Sequence, residues 1–322
     1  MIDRPTNRAQ ARPKREIVAD PHTLMRIKSL QVRARIVVEG FLTGLHRSPY
    51  HGFSVEFTEY RQYSPGDDLR YLDWRLLARS DRYYVKRFED ETNLRCHILL
   101  DLSRSMDYGT VDYTKAEYGK TLAATLAYFL NRQRDAVGLL TFDETIDTYL
   151  PARFQFGALA RLMSALERPT GGKGTDINQP LEQTARIVRK RGWVILISDL
   201  LTDIESLEKH LGALRTQGHE VILMRVLDPS EKDFEFSDAT LFHDMESGRE
   251  LYVDPKAARS QYLEKFQQHA EQIESICNSL GVDLCELTTD TPLELALFDF
   301  LNARQRRGRT ASRSRNPMAG GV

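Results

Sequence analysis

Residues 98–107 read ILLDLSRSMD, an apolar run that ends at Asp101 and is followed by two serines at alternate positions. The run begins before this stretch, so residues 94–101 have the composition of a buried strand, and Ser103 and Ser105 lie in the loop that leaves it. A carboxylate and two hydroxyls at this spacing are compatible with a phosphoenzyme nucleophile, a serine nucleophile, a metal site or a polar turn. The rest of the chain has to distinguish these four kinds of site.

Beyond this strand the chain alternates between predicted strands and helices. Continuously apolar strands separated by helices favour a parallel sheet covered on both faces. We therefore predict an α/β fold with a doubly wound, mostly parallel sheet, preceded by an N-terminal helix and a strand–turn extension. Ligands of such sheets bind outside the carboxyl ends of the strands, where Asp101 and Asp199 both end apolar runs. The predicted strands are 94–101, 136–142, 193–199, 219–227 and 282–287, and the predicted helices are 20–46, 112–133, 156–166, 177–191, 203–217, 256–280 and 292–303.

A glycine-rich loop supplies a further polar group. The loop TGGKGTD (170–176) carries Thr175 just before a predicted helix. If this loop and Asp199 lie beside the loop that leaves strand 94–101, the site contains carboxylates and hydroxyls but neither histidine nor thiolate. Such hard oxygen ligands suit Mg²⁺, Mn²⁺ or Ca²⁺ rather than zinc. A cation with few carboxylate ligands and several neutral hydroxyls is electron-poor, so it could accept a carboxylate from another molecule.

This arrangement resembles the metal-ion-dependent adhesion site of von Willebrand factor A domains. The likeness rests on Asp101-x-Ser103-x-Ser105, on Thr175 in the glycine loop and on Asp199 after the later strand, and it spans roughly residues 92–300. The resemblance implies that the two serines and the threonine are metal ligands and that the aspartates bind directly or through water. It also implies that an acidic side chain of a partner completes the coordination.

Other chemistries fit these residues less well. A haloacid dehalogenase-type phosphatase places a second aspartate two residues after its nucleophile, where this chain has Ser103. A serine hydrolase would need a GxSxG elbow with a histidine and an acid, and no such elbow surrounds the serines. The glycine loop is not a phosphate-binding loop either, because Lys173 is followed by Gly174 rather than by serine or threonine.

Three alternatives to a metal-dependent adhesion site remain open. Asp101 and the serines could simply cap the following helix, or the domain could be purely structural and bind no metal. The alternative from the enzyme class is a metal-dependent phosphoesterase or nuclease with Asp101, Asp199, Asp67 and Asp68 as ligands. Two-metal chemistry of that kind needs several carboxylates around ions about 3.5–4 Å apart.

A second signature lies at residues 56–91, where charged and aromatic residues are densely packed around the turn pair Pro65–Gly66. One interpretation is a turn and helix held to the sheet by arginine–carboxylate pairs, with Trp74 packed beneath. The other is a contact surface, since Trp, Tyr and Arg concentrate binding energy at interfaces. The candidate partner-binding residues are Arg61, Tyr63, Asp67, Asp68, Arg70, Asp73, Trp74 and Arg75.

The stretch YRQYSPGDDLRYLDWRLLAR (60–79) is very similar to the signature of the bacterial domain-of-unknown-function family fifty-eight. Proteins of that family are typically encoded beside MoxR-type AAA+ ATPases. The resemblance implies a non-enzymatic, chaperone-like adaptor that uses Mg²⁺ (or Mn²⁺ or Ca²⁺) to bind a MoxR-type AAA+ ATPase or its client through an acidic side chain. Nucleic acid is not expected as a partner.

Composition indicates an ordinary soluble protein, with 41% hydrophobic and 28% charged residues and a formal net charge of −1. Three cysteines without a CxxC pair fit a reducing compartment, and the sequence shows neither a signal peptide nor a membrane span, so a cytoplasmic location is expected. We divide the chain into a flexible basic tail (1–19), the N-terminal helix and signature segment (20–91), the von Willebrand factor A-like domain (92–303) and a second flexible basic tail (304–322).

Overall fold

The structure is a computed structural model that describes residues 19–47, 59–62, 84–87, 94–169, 177–236, 240–243 and 250–302. Its strands are β1 (Glu59–Gln62), β2 (Tyr84–Arg87), β3 (Arg95–Asp101), β4 (Ala136–Phe142), β5 (Ile146–Arg153), β6 (Trp193–Ser198), β7 (Glu220–Leu227), β8 (Thr240–His243), β9 (Glu250–Val253) and β10 (Asp283–Thr288). Its helices are α1 (Pro21–Met25), α2 (Leu30–Arg47), α3 (Lys115–Arg132), α4 (Ala158–Leu166), α5 (Asn178–Ile187), α6 (Ile204–Thr216), α7 (Pro229–Asp233), α8 (Pro255–Leu280) and α9 (293–302), with a 3₁₀ turn at Arg104–Asp107.

Six strands form the central sheet, in the order β10-β7-β6-β3-β4-β5. All neighbouring pairs are parallel except β4 with β5, which is antiparallel. Strands β3, β4 and β6 are buried along their length because helices cover both faces of the sheet. The doubly wound, mostly parallel α/β fold predicted from the alternation of apolar runs and helical periodicity is therefore confirmed.

The two faces of the sheet carry two separate hydrophobic cores. Alternate residues of β3 point to opposite faces, so Ile98 and Leu100 pack with α2, α3, α4 and α9, whereas Leu99 packs with α5, α6 and α8. Helix α3 begins with a capping box, in which Thr114 accepts a hydrogen bond from the backbone of Glu117 and the glutamate side chain accepts one from the backbone of Thr114. These contacts hold α3 directly behind the carboxyl end of β3.

The N-terminal segment differs from the single predicted helix 20–46, because α1 and α2 are separate. Asp20 caps α1, and its carboxylate accepts a hydrogen bond from the backbone N–H of Thr23 at 3.1 Å. The chain then turns, and the Ser29 hydroxyl accepts a hydrogen bond from the backbone N–H of Val32 at 3.4 Å, so a second helix starts there. Arg33 stabilises the turn by donating to the carbonyl of Ile27 at 2.5 Å.

Four strands, β2, β5, β8 and β9, lie where the sequence predicted none. Strand β5 forms the antiparallel edge of the sheet, and β8 and β9 form a separate two-stranded antiparallel sheet. Alternation of buried and exposed residues along β5 interrupts the apolar run that marked the other strands, and Pro151 adds a residue that is rare inside sheets.

Candidate functional site

The candidate site lies at the carboxyl end of β3, which is one of the two central strands of the sheet. Strand β3 lies between β6 and β4. The strand that follows β3 in the chain, β4, lies on one side of it, and the later strand β6 lies on the other side. The strand order therefore reverses at β3, which opens a crevice at the carboxyl ends of β3 and β6. Crevices of this kind are the usual ligand sites of open α/β sheets. Asp101, the last residue of β3, is therefore well placed to contact a ligand.

Asp101 is buried, and both of its carboxylate oxygens accept hydrogen bonds. The backbone N–H of Ser103 donates to Oδ1 at 2.8 Å, and the Ser198 hydroxyl donates to Oδ2 at 2.7 Å. The hydroxyls of Ser103 and Ser105 lie 3.1 Å apart and share a hydrogen bond. The structure thus brings together the three predicted residues Asp101, Ser103 and Ser105, and it adds Ser198 from the neighbouring strand.

The electrostatic environment disfavours the ionised form of Asp101. Burial and, after it, the nearby carboxylate of Asp199 raise the pKa of Asp101 to about 6, against the opposing hydrogen bonds from Ser198 and Ser103. A cation at this position would favour the carboxylate instead. The site therefore contains a carboxyl group whose charge is poorly stabilised by the described residues alone.

Asp199 follows β6 and is fully buried, but its carboxylate already has partners. The Lys115 ammonium donates to Asp199 Oδ2 at 2.9 Å, and the backbone N–H of Leu201 donates to Oδ1 at 3.2 Å. Lys115 also donates to Glu231 Oε1 at 2.5 Å, so one ammonium joins β6 to α7. Asp199 follows β6 as the apolar run predicted, and its role as a metal ligand, directly or through water, stays a prediction. Its ion pair with Lys115 was not foreseen.

Lys115 is a buried charge of the candidate site that the sequence interpretation missed. It is the first residue of α3, and its side chain is 0% exposed. Burial disfavours its charged form, but the attraction of Asp199 and Glu231 outweighs burial and holds the pKa of Lys115 above its ordinary value. A lysine in the first turn of a helix opposes the helix dipole. That unfavourable position, directly before the apolar stretch of α3, was the signal that the sequence offered.

Arg225 is a second buried cation beside this ion pair. It lies on β7 at 1% exposure, and its Nε donates to the backbone carbonyl of Asp199 at 3.3 Å. Its Nη1 lies 3.5 Å from Glu286 Oε2, and its guanidinium lies 5.0 Å from the centre of the Phe266 ring. Arg225 therefore fixes the backbone that follows β6. The only sign of this role in the sequence is that an arginine interrupts the apolar run VILMRVL (221–227).

Apart from Arg61, the other predicted site residues lie outside the described residues. These include Thr175 of the glycine loop, so its place at the site stays a prediction. Arg61 lies on β1, opposite Val85 of β2, but only its backbone is described. The remaining candidate partner-binding residues outside the described ranges are Tyr63, Asp67, Asp68, Arg70, Asp73, Trp74 and Arg75.

The described donor set fits a hard divalent cation. Each carboxylate oxygen of Asp101 accepts one hydrogen bond and keeps a further lone pair, and the hydroxyl oxygens of Ser103 and Ser105 lie side by side. Oxygen ligands of this type bind Mg²⁺, Mn²⁺ or Ca²⁺. Within the described ranges, no three His, Cys, Asp or Glu side chains converge as a metal site. The candidate site therefore depends on hydroxyls, as the Asp-x-Ser-x-Ser pattern predicted.

A comparison with protein-family models identifies the family of this chain. Residues 59–272 match the family model described as "Protein of unknown function DUF58". This match covers well over half of the chain. The chain belongs to this family. The resemblance carried by YRQYSPGDDLRYLDWRLLAR is thereby confirmed for this DUF58 protein. Its central sheet carries Asp101-x-Ser103-x-Ser105 at the carboxyl end of β3 and has the doubly wound, mostly parallel α/β fold that the sequence predicted.

Several mycobacterial proteins are similar to this DUF58 protein. The uncharacterized protein Rv1480 of Mycobacterium tuberculosis is 28% identical over 295 residues, which cover 90% of this chain and 92% of that protein. The uncharacterized protein Mb1516 of Mycobacterium bovis shows the same identity over the same length and coverage. These relatives share nearly the whole length of the DUF58 chain.

Solved structures with a similar arrangement cover about two thirds of the DUF58 chain. An aerotolerance-related membrane protein from Bacteroides fragilis superimposes with a TM-score of 0.46 at 18% identity, covering 65% of this chain and 98% of that one. The conserved hypothetical protein BatB from Bacteroides thetaiotaomicron gives a TM-score of 0.44 at 17% identity, covering 66% of this chain and 99% of that one. In the described ranges of the DUF58 protein, none of the helices is both long and apolar enough to cross a bilayer.

Proposed function

We propose that this DUF58 protein is a non-enzymatic interaction module whose candidate site binds a divalent cation and, through it, an acidic side chain of a partner. The observation that carries this proposal is the cluster of Asp101, Ser103 and Ser105 at the centre of the sheet's carboxyl edge. Their oxygens are preorganised by hydrogen bonds, and among the described residues no histidine or thiolate bonds to either serine hydroxyl to make it a nucleophile.

In this proposal, Asp101, Ser103, Ser105 and Thr175 hold the cation. When bound, Mg²⁺ (or Mn²⁺ or Ca²⁺) would supply an electron-poor centre that attracts a carboxylate. The chain's own residues keep it electron-poor, because the Lys115 ammonium offsets the charge of Asp199 at 2.9 Å. In this arrangement Asp199 influences the cation through its charge, and it orders the loop after β6 by accepting a hydrogen bond from the backbone N–H of Leu201. Asp101 is the carboxylate that lies directly next to the cation.

The proposed partner is a MoxR-type AAA+ ATPase or the client that such an ATPase remodels, as the family resemblance implies. We place this role in the cytoplasm. The three cysteines support a reducing compartment, since Cys96, Cys277 and Cys285 are all buried and form no disulfide. Burial also raises the pKa of the Cys277 thiol to about 12, so this cysteine is not a reactive nucleophile.

Metal binding is tested by titrating the purified protein with Mg²⁺ and Mn²⁺ in a calorimeter. We expect saturable binding of one ion per chain, lost in Asp101→Asn and in the double variant Ser103→Ala with Ser105→Ala. Ser279→Ala is the matched control, because its hydroxyl bonds only to the Ile276 carbonyl, far along the chain in α8. Equal heats for wild type and Asp101→Asn would rule out the metal site.

Partner binding is tested separately, with the MoxR-type ATPase encoded in the same genome as bait. Recovery of the DUF58 protein on immobilised ATPase should require Mg²⁺, fall to background in EDTA, and fall equally for Asp101→Ala in Mg²⁺. Recovery that is the same with Mg²⁺ and with EDTA would contradict the metal bridge while leaving an adaptor role intact.

A further inference from the structure

A groove lies between the edge strand β5 and helix α4, on the face of the sheet that also carries α2, α3 and α9. Its volume is about 360 Å³, and its floor combines apolar and small side chains from both walls. Helix α4 contributes residues at spacings of three and four, which share one side of a helix. The lining residues are Thr148, Leu150, Ala160, Arg161, Ser164, Ala165 and Arg168.

One wall of the groove is the end of the central sheet. Strand β5 pairs with β4 on its inner side, and among the described residues no strand pairs with its outer side. An unpaired strand edge presents backbone N–H and C=O groups that an extended polypeptide can satisfy. Pro151 removes one N–H from this edge and restricts such pairing to the part of β5 before it, where Thr148 and Leu150 line the groove.

Exposed aromatic residues continue the groove at one end. The loop from β5 to α4 joins the two walls, and it carries Phe154 at 50% exposure and Phe156 at 106% exposure. Phe156 is therefore not covered by any of the described residues. Two phenylalanines held in water next to an apolar groove form an apolar surface of the kind that binds another molecule.

The charged side chains that line this groove are positive, although the exposed Glu167 follows α4 directly. Arg161 and Arg168 line it, and the exposed Arg153 ends β5 beside the aromatic loop. Helix α4 contains no acidic residue between Ala158 and Leu166. The carboxylate of Asp147 on β5 is already hydrogen-bonded to the Thr148 hydroxyl at 2.9 Å. The arginines are thus available to a carboxylate from outside, which an arginine fork binds with two parallel hydrogen bonds.

From these features we infer that the groove between β5 and α4 binds an extended, acidic segment of a partner protein. The segment's backbone adds to the first half of β5. Its apolar side chains contact Leu150 and the two phenylalanines, and its carboxylates pair with Arg161 and Arg168. This surface is separate from the cluster around Asp101, so it would give the proposed interaction module a second contact that needs no metal.

The inference is tested by fluorescence anisotropy with a labelled eight-residue peptide that alternates glutamate and leucine, in the presence of EDTA. We expect saturable binding to the full chain, and a loss of about tenfold or more in affinity for Arg161→Glu with Arg168→Glu, since two ion pairs are replaced by repulsion. The matched peptide that alternates lysine and leucine should bind the charge-reversed variant and not the wild type. Ala160→Trp fills the groove from an exposed position of α4. This variant should bind the glutamate peptide more weakly, while its midpoint of thermal unfolding stays that of the wild type.

Arg189→Glu with Lys190→Glu is the control, because it changes the net charge equally beyond α5, on the other face of the sheet. A similar loss in this control would show that binding follows net charge alone and would overturn the inference. So would equal binding of both peptides, or of neither, to the wild type. A dimer in light scattering that dissociates in Arg161→Glu with Arg168→Glu would instead assign the groove to self-association. Displacement of the peptide by decanoate at equal concentration would assign it to small carboxylates.

Discussion

Two buried charges of the candidate site are stabilised to opposite degrees. Lys115 has two carboxylate partners within hydrogen-bond distance, whereas Asp101 accepts hydrogen bonds only from a hydroxyl and a backbone N–H. A buried charge is tolerated when it is paired and is costly when it is not. Removing Lys115 and removing Asp101 should therefore change the free energy of unfolding in opposite directions.

Lys115→Met keeps the length of the side chain and removes its charge. Asp199 and Glu231 then lose their shared ammonium, and Asp199 is left buried without a cation on its Oδ2. We expect the free energy of unfolding to fall by about 3–5 kcal/mol, the usual effect of breaking a buried pair from one side. Urea denaturation measures it.

Lys120→Met is the control for this prediction, because that lysine is on the same helix and its ammonium donates to a single carbonyl, that of Arg168. We expect a loss below about 1 kcal/mol there. Combining Lys115→Met with Asp199→Asn should destabilise by less than the sum of the two single changes, since the residues share one contact. Additive losses would show that the ion pair contributes nothing.

Asp101→Asn should stabilise the metal-free protein relative to wild type as the pH rises. The folded-state pKa of Asp101 is raised from 3.8 to about 6, so ionisation disfavours the fold. That penalty is absent below pH 3.8, grows between the two values and is complete above about pH 6, where it reaches about 3 kcal/mol. Asparagine cannot ionise and avoids it. Thermal unfolding in EDTA from pH 2.5 to pH 8 follows the difference.

Asp203→Asn supplies a control of the opposite sign. Asp203 caps α6, and hydrogen bonds from Ser206 lower its pKa, so wild type gains stability from this carboxylate above the unfolded pKa and loses it as the pH falls. Relative to wild type, the Asp203→Asn protein should thus become less stable as the pH rises. The same pH trend in both variants would contradict the assignment of Asp101 as a carboxyl group held against its charge.

Sequence reasoning located Asp101, Ser103 and Ser105 because a strand end and its loop are local features. It missed Lys115 and Arg225 because their burial depends on which strands become neighbours. Lys115 meets Asp199 across 84 residues of chain, and the sheet order alone brings α3 behind β6. Periodicity describes one element at a time, so a charge that is buried by another element leaves only an indirect trace.

At the scale of single elements, the apolar runs located the strands of the parallel sheet well. The predicted strand 136–142 coincides with β4, and the predicted helix 256–280 differs from α8 by one residue. The start of a helix is marked in the sequence where a capping residue is present. At α8, Asp254 is the cap and Pro255 is the first helical residue. The edge strand β5 escaped because only one of its faces is buried against the core, so its pattern lacks a continuous apolar run.

The junction between α8 and β10 offers a matched pair of glycine substitutions. Gly281 ends α8 with φ of 63°, in the left-handed region, so Gly281→Ala should lower the free energy of unfolding by about 1–2 kcal/mol. Gly212 lies inside α6, where an added Cβ would meet only the Leu280 side chain at 3.8 Å, an ordinary contact. Gly212→Ala should therefore stabilise by up to about 1 kcal/mol. Thermal midpoints that move the same way for both variants would contradict this.

At the scale of the whole molecule, the N-terminal helices share the hydrophobic core of the α/β domain. Val37, Val38 and Phe41 of α2 are buried in the same cluster as α3 and α9, and the Phe41 ring meets the Phe129 ring edge-on at 6.1 Å between centroids. A helix that is buried in this way contributes to the stability of the sheet it covers, although it lies far from the sheet in sequence.

Phe41→Ala should therefore destabilise the whole domain and not only its N-terminus. We expect a loss of about 3–5 kcal/mol, as for other buried aromatic residues. In a Trp74→Phe background, Trp193 on β6 is the single tryptophan and reports on the centre of the sheet. Its fluorescence and the helical circular dichroism signal should unfold together in urea, both shifted equally by Phe41→Ala.

Ile36→Ala is the control on the same helix, because this side chain is 39% exposed and faces away from α3. Its loss should stay below about 1 kcal/mol. If Phe41→Ala shifted the dichroism signal and left the Trp193 transition in place, α2 would unfold independently and the domain would begin after it. A common shift would instead mean that the sheet edge with Asp101 and Lys115 keeps its geometry only while the N-terminal helices are docked, so any partner that displaced them would also weaken the candidate site.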